Sequence, residues 1–222
     1  MRPAGLVAGA AVTALVAAGA ITYAVAEDGG AHTTGKAAAV PSATATAVPV
    51  PAADSADAGF ARDMAVHHQQ AVEMSYIVRD RTRDTEVRRL AYDIAQTQAN
   101  QRGMLLGWLD LWGLPKVSAD PPMTWMGMGD AAVGEDGALM PGMATDAQLE
   151  ELGRLNGRQA EISYLRLMTA HHRGGLHMAQ GCAAKCAVGV EKRLARSMVD
   201  GQRSELRLMA DMLKERGAAP DS

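Results

Sequence analysis

The chain is predicted to fold as an all-α four-helix bundle built from two duplicated helical hairpins joined by a long crossover. Three observations lead there. Met64-Ala65-Val66-His67-His68 recurs as Met168-Thr169-Ala170-His171-His172. Sliding the chain on itself by 104 positions also aligns Met74 with Met178, Leu90 with Leu194, Ala91 with Ala195, Gln98 with Gln202, Leu109 with Leu213 and Gly113 with Gly217. Residues 60–114 and 164–218 therefore read as two copies of one unit. Within each copy the apolar and small residues recur at helical spacing, and strand signals are nearly absent.

Residues 1–26 carry Arg2, an uncharged apolar run from Leu6 to Val25, and Ala24-Val25-Ala26 before Glu27. This is the pattern of a signal peptide with a small-residue cleavage site. The run is also long enough to serve as an uncleaved membrane anchor. Either way, the rest of the chain is expected outside the cytoplasm. Residues 27–56 are mostly Ala, Thr, Pro, Ser and Gly, which cannot bury enough apolar surface to order themselves, and are read as a disordered linker. His32 lies there alone and is left out of any site.

The four-helix domain is expected over 57–218. Its first helix spans about 57–80. At about 100° per residue, Met64, His67, His68, Ala71, Met74 and Val78 fall on one stripe roughly 120° wide, with the small Ala71 at its centre. Asp84 is an N-cap for the second helix, which runs to about Trp112 before Gly113 and Pro115 stop it. Ile94, Gln98, Gln101, Leu105, Trp108 and Trp112 form its inward stripe, apolar but broken by two amides.

The crossover, 115–158, is rich in Pro, Gly and Met and is expected to be irregular over most of its length. Thr145 with Gln148 makes a capping box for a short helix toward Leu155. The third long helix, about 159–181, repeats the first through Met168, His171, His172, Gly175 and Met178. A fourth runs from about 190 to 216, closed by Gly217, with Met198, Gln202, Glu205, Met209 and Met212 facing inward. His177 and its counterpart Glu73 lie on the opposite side of their helices.

A net charge of −3 with no Lys/Arg run gives no field for a phosphate backbone, so nucleic acid is not an expected partner. The chain contains no Glu-x-x-His pair of a di-iron bundle, no His-Glu-x-x-His, no Gly-x-Ser-x-Gly elbow, no phosphate loop and no dinucleotide fingerprint. No nucleophile stands with a base. An enzyme is not expected, a copper-dependent redox activity being the remaining catalytic alternative.

Met accounts for 14 of 222 residues. Its thioether suits Cu(I), and imidazole binds Cu(I) and Cu(II), so paired His and Met on one helix face are what a copper site requires. The same residues also make sense as a polar layer that hydrogen-bonds facing Gln and Glu side chains and fixes helix register. Duplication of the whole pattern, together with the Met-rich crossover, favours ligation. The two cysteines, Cys182 and Cys186, admit a local disulfide in an oxidising compartment or an incomplete metal clip in a reducing one.

Met64-x-x-His67-His68-x-x-Ala71-x-x-Met74, followed by Leu90-Ala91 and Gln98, resembles the bacterial "domain of unknown function 305" family. The second copy does so through Met168, His171-His172, Gly175, Met178-Ala179, Leu194-Ala195, Gln202-x-x-Glu205 and Met209. The intervening Met140-Pro-Gly-Met143-Ala-Thr resembles its longer members. The resemblance covers about residues 57–217. It implies an exported, ferritin-like four-helix protein, with copper binding in some members, and metal-site positions at Met64, His67, His68, Met74, Met168, His171, His172, Met178 and the acidic Glu205. In the first copy Gln101 stands at the acidic position and Leu105 where Met is usual. The expected function is extracytoplasmic copper binding and buffering through His and Met, with a copper ion as cofactor and an unidentified protein recipient. The alternative is a structural or protein-interaction module of the cell envelope that binds no metal.

Overall fold

Five α-helices follow one another without a strand among the described residues, 50–129 and 137–219, of the computed structural model. They are α1 (Ala56–Arg81), α2 (Thr85–Leu111), α3 (Asp146–Arg154), α4 (Gly157–Lys185) and α5 (Gly189–Glu215). The signal or anchor segment and most of the linker, 1–49, lie outside the described residues. Four of these helices are the expected long ones, and α3 is the short helix of the crossover.

Each start has a local cause. Ser55 Oγ accepts from Ala58 N–H at 3.2 Å, so α1 begins at Ala56, inside the last residue of the stretch read as linker. Arg62, buried, donates to the Ala53 carbonyl and fastens the chain just before that cap. Asp84 caps α2 as expected, accepting from Glu86 and Val87 N–H. Both bonds of the Thr145/Gln148 capping box form at the head of α3.

Two helix ends repeat each other. Leu114 N–H bonds Leu109 O after α2, and Ala218 N–H bonds Leu213 O after α5, both at 2.9 Å. Gly113 and Gly217, at φ of 64° and 61°, provide the left-handed residue that this six-to-one closure needs.

Helix α4 is longer than expected at its C-terminal end, reaching Lys185 rather than Gly181. Gly181 is no stop signal. A Cβ there would stand 2.8 Å from Met126, so the glycine serves a close approach of the crossover. The helix continues through Cys182, whose disulfide to Cys186 clips the last turn. Asp57, in the first turn of α1, accepts from Ala187 and Val188 N–H and closes the following turn.

Helix α1 packs on α2 and α4 on α5, and the contact of α1 with α4 joins the two hairpins. At one end of the bundle, Thr82 donates to Glu161 at 2.6 Å, while Arg216 reaches Glu161 at 2.8 Å and Asp84 at 3.1 Å. This network ties both hairpins together where their polar ends meet. The core falls into two apolar clusters. One contains Phe60, Met64, Leu105, Met140, Met178 and Met198; the other contains Met74, Ile94, Tyr164, Met168 and Met209.

The crossover is fastened to α1 and α4 at several points. Asp63 accepts from Met123 N–H at 2.7 Å and from Trp125 Nε1–H at 2.9 Å, seating a 3-10 turn over Thr124–Met126. Gln70 holds Ala144 through both its amide atoms, donating to the carbonyl at 2.8 Å and accepting from the N–H at 2.7 Å. Side-chain amides can pair with a lone stretch of backbone in this way because they present the same donor and acceptor.

Candidate metal centre

His67 and His68 on α1 meet His171 and His172 on α4 midway along the bundle, all four with no solvent exposure. The i, i+1 pair on each helix points toward the partner helix from two sides of the same stripe. Antiparallel pairing of α1 and α4 then makes the two pairs face each other. The rings of His67 and His171 lie 3.7 Å apart between centroids, and those of His171 and His172 6.2 Å.

Gly175 gives the layer its room. A Cβ there would stand 2.8 Å from Gln202 Oε1 and 3.1 Å from His67 Cε1, so only glycine lets the His67 ring and the Gln202 amide lie against α4. Next to it, a Cβ on Gly174 would overlap the Pro141 carbonyl, with the Pro141 carbonyl carbon at 2.7 Å. The Pro141-Gly142 stretch thus lies backbone to backbone on α4 beside the histidines.

His171 Nε2 is 2.9 Å from the His67 carbonyl, and His172 Nε2 is 2.7 Å from Glu205 Oε2. A carbonyl only accepts, so Nε2 of His171 carries the proton and Nδ1 the lone pair. A carboxylate at Glu205 sets the same tautomer on His172. Nδ1 of both rings is buried without a hydrogen-bond partner. The nitrogens of His67 and His68 are also buried and make no hydrogen bond of ordinary geometry, although the Pro141 carbonyl lies beside His67 and the Gln98 and Gln101 amides beside His68. Unmet buried polar atoms cost about 1–3 kcal/mol each.

Three of the four histidines, His67, His68 and His171, are held neutral. Burial drives the His67 pKa down to about 3, helped by His68 and His172, with the Pro141 carbonyl opposing. Burial also lowers His68 to about 3, against the pull of the Gln101 and Gln98 amides beside it. His171 lies well below the ordinary value, first through burial and then through His67 and His172. Neutral imidazole is the form that ligates a metal.

The other expected site residues fall around this layer. Met64 and Met178 share the core cluster on one side, and Met74 and Met168 share the cluster on the other, all without exposure. Glu205 is partly exposed and touches the layer through His172. His177 and Glu73 are exposed, away from the layer as expected.

Orphaned ring nitrogens between buried thioethers are a donor set that fits a soft cation such as Cu(I). The rings are not gathered as a finished three-ligand cage. Among the described residues, the group of three His, Cys, Asp or Glu ligand atoms within 4.8 Å of one another is Cys182, Cys186 and Glu191. An ion in the histidine layer would therefore draw on one or two imidazoles together with thioether sulfur.

The bearing of the crossover on this layer is not legible in the sequence. Its signals are the adjacent Gly174-Gly175, of which the motif singles out only Gly175, and Pro141-Gly142, whose place against α4 depends on the fold. Gln70, beside the motif, likewise carries no sign of its role.

The profile of the Domain of unknown function (DUF305) family matches residues 57–213. A DUF305 protein from Streptomyces coelicolor, described as secreted, has a crystal structure 73% identical to this chain with a TM-score of 0.72, covering 77% of this chain and 99% of that one. A DUF305 fragment from Deinococcus radiodurans is 31% identical with a TM-score of 0.59, over 72% of this chain and 96% of that one. CopM in its Cu(II)-bound form is 20% identical with a TM-score of 0.57, over 72% and 96% respectively, a likeness of fold. No curated protein matches the chain. Both the profile, which spans most of the chain, and the S. coelicolor relative lead to the same conclusion: this protein belongs to the DUF305 family.

Proposed function

We propose that this protein is an extracytoplasmic copper-binding protein that buffers copper or hands it on, without catalysing a reaction. The observation that carries the reading is the set of buried ring nitrogens that make no direct hydrogen bond, both of His67, both of His68, and Nδ1 of His171 and of His172, on helix stripes shared with buried methionines. Met64, His67, His68, Met74, Met168, His171, His172 and Met178 are the proposed ligands, drawn on in pairs or threes, and Glu205 orients His172. Duplication of one hairpin accounts for the pseudo-symmetric approach of the two His-His pairs. CopM, which shares the fold, has been solved with Cu(I), Cu(II) and Ag bound, and this supports the reading.

Location outside the cytoplasm rests on the export pattern of residues 1–26 and on the secreted relative. No helix among the described residues is long and apolar enough to cross a membrane.

Anaerobic copper titration, followed by calorimetry and thermal melting, tests the proposal. A ligand that binds only the folded state raises the melting temperature. Saturable binding with such a rise is expected, and His67→Ala/His171→Ala should lower the copper stoichiometry while helicity is retained. Unchanged stoichiometry in that variant overturns the reading.

A second reading has its own observation. The His171 bond to the His67 carbonyl joins the two hairpins, and the His172 bond to Glu205 ties α4 to α5, both without any metal, as a layer that only fixes packing would. In that case the double variant melts earlier and copper leaves the melting temperature of the parent protein unchanged.

A further inference from the structure

The α4–α5 turn assembles a second set of ligand-type side chains, remote in role from the histidine layer. Cys182, in the last turn of α4, and Cys186, its C-cap, are joined by a disulfide and are 0% and 2% exposed. Glu191, in the first turn of α5, is 0% exposed, and neither of its carboxyl oxygens has a hydrogen-bond partner. One Glu191 oxygen and the two sulfurs lie within 4.8 Å of one another. A Cys-x3-Cys pair alone is an incomplete clip; the fold supplies the third donor.

Burial alone does not favour an acid at this position. A buried carboxyl group without partners is costly, and an apolar side chain would fill the space at no such cost. Asp57 sharpens the point. Its carboxylate, 3% exposed, is engaged by Ala187 and Val188 N–H and lies within hydrogen-bonding reach of Glu191, whose pKa is raised first by burial and then by Asp57. Glu191 is thus held against a pair of sulfurs, with Asp57 beside it.

We propose that reduction of the Cys182–Cys186 disulfide opens a metal site in which both thiolates and the Glu191 carboxylate hold one zinc-class divalent cation. The reductant is a thiol. Two RSH molecules, or one dithiol, break the S–S bond, leave as the oxidised disulfide and place one hydrogen on each cysteine sulfur. Binding of the cation then releases both thiol protons and the Glu191 proton. Three anionic ligands against a divalent ion leave the centre at −1. A monovalent ion would reach the same charge on the two thiolates alone, without Glu191, so engagement of the Glu191 carboxylate marks the divalent ion.

The geometry suits zinc. Zn²⁺ takes sulfur at about 2.3 Å and carboxylate oxygen at about 2.0–2.2 Å, so its ligands lie within about 4.6 Å of one another. Glu191 is already within 4.8 Å of both sulfurs, and once the bond between them is broken the sulfurs separate to about 3.8 Å to take the ion. In the oxidised protein the sulfurs are bonded to each other and offer no thiolate. The disulfide is the gate.

The test is titration of the protein with Zn²⁺ by calorimetry, and with Co²⁺ by absorption, before and after anaerobic reduction with a phosphine that is then removed. The histidine layer is present in both forms, so the difference between them isolates this site. Reduction should add one equivalent of Zn²⁺ and produce a sulfur-to-cobalt charge-transfer band. Cys182→Ser/Cys186→Ser should abolish both gains, and Glu191→Gln, which keeps the thiols, should weaken Zn²⁺ by about 10-fold or more. No added equivalent in a reduced protein that stays helical overturns the proposal, as does unchanged affinity in Glu191→Gln. Should reduction melt the bundle, recovery of helicity on adding Zn²⁺ supports the site and failure to recover overturns it.

Discussion

His171 Nε2 donates to the backbone carbonyl of His67, the equivalent histidine of the other hairpin, at 2.9 Å. The bond does two things at once. It locks the two central helices in register, and it turns the His171 Nδ1 lone pair into a buried space where nothing else satisfies it. A purely structural histidine would need only the first.

Glu205 fixes the tautomer of His172 through its 2.7 Å contact. Glu205→Gln should therefore leave the fold intact and weaken copper by about 10- to 100-fold, the usual effect of losing an orienting carboxylate. Competitive titration against a Cu(I) chelator, with circular dichroism as control, measures both. Equal affinity in the variant would detach Glu205 from the site.

Gly174 and Gly175 separate two kinds of crowding. A Cβ at Gly174 meets the Pro141 backbone, which cannot swing aside, and Gly174→Ala should cost about 1–3 kcal/mol and loosen the crossover. At Gly175 the same methyl meets the far end of the flexible Gln202 side chain and the His67 ring. Gly175→Ala should cost less and disturb mainly the layer. Calorimetric melting, with hydrogen exchange at Met143 and Ala144, distinguishes the two.

Gln70 bonds both backbone groups of the buried Ala144. Gln70→Ala leaves a donor and an acceptor unmet at about 1–3 kcal/mol apiece, less whatever water regains. We expect a loss of about 2–3 kcal/mol by denaturant titration, concentrated in faster exchange of the crossover. A variant within about 0.5 kcal/mol of the parent, the range of ordinary surface substitutions, would mean that the clamp contributes nothing.

Burial raises the Glu191 carboxyl from 4.5 to about 9, with Asp57 adding to the shift. Its folded pKa lies above the unfolded one, so the folded state binds the extra proton between these values. This contribution is full below about pH 4.5 and is lost as pH rises toward 9, with a slope of at most about 1.4 kcal/mol per pH unit. The melting temperature of the oxidised protein should fall as pH rises from about 6 to about 9, and Glu191→Gln should flatten that fall. An identical slope in the variant refutes the assignment.

The helices were legible because their causes are local. Asp84, Thr145 with Gln148, and Gly217 are caps that act within a few residues, and the Met-x-x-His-His stripe carries its period in the chain itself. Repetition of that stripe put the same residue types on both hairpins, while the meeting of the two His-His pairs came from the packing of α1 on α4. The S. coelicolor and D. radiodurans relatives agree with the fold so derived.

Features that depend on residues far apart in the chain came from the packing. Gly181 reads as a helix stop, but α4 runs on, and Asp57, 130 residues from Ala187, caps the turn beyond the disulfide. Pro141 rests on Gly174, 33 residues further along the chain, so the chain order could not reveal that the crossover lies beside the histidines. Whether a buried nitrogen finds a partner is likewise a property of the assembled interior, where the groups that could meet it come from other helices. The helices and the identity of the donor atoms were set by the amino-acid order alone, because period and side-chain chemistry are written along the chain. Which of those atoms were left without a proton or a partner was settled in the folded bundle, because burial and pairing exist only between elements brought together in space.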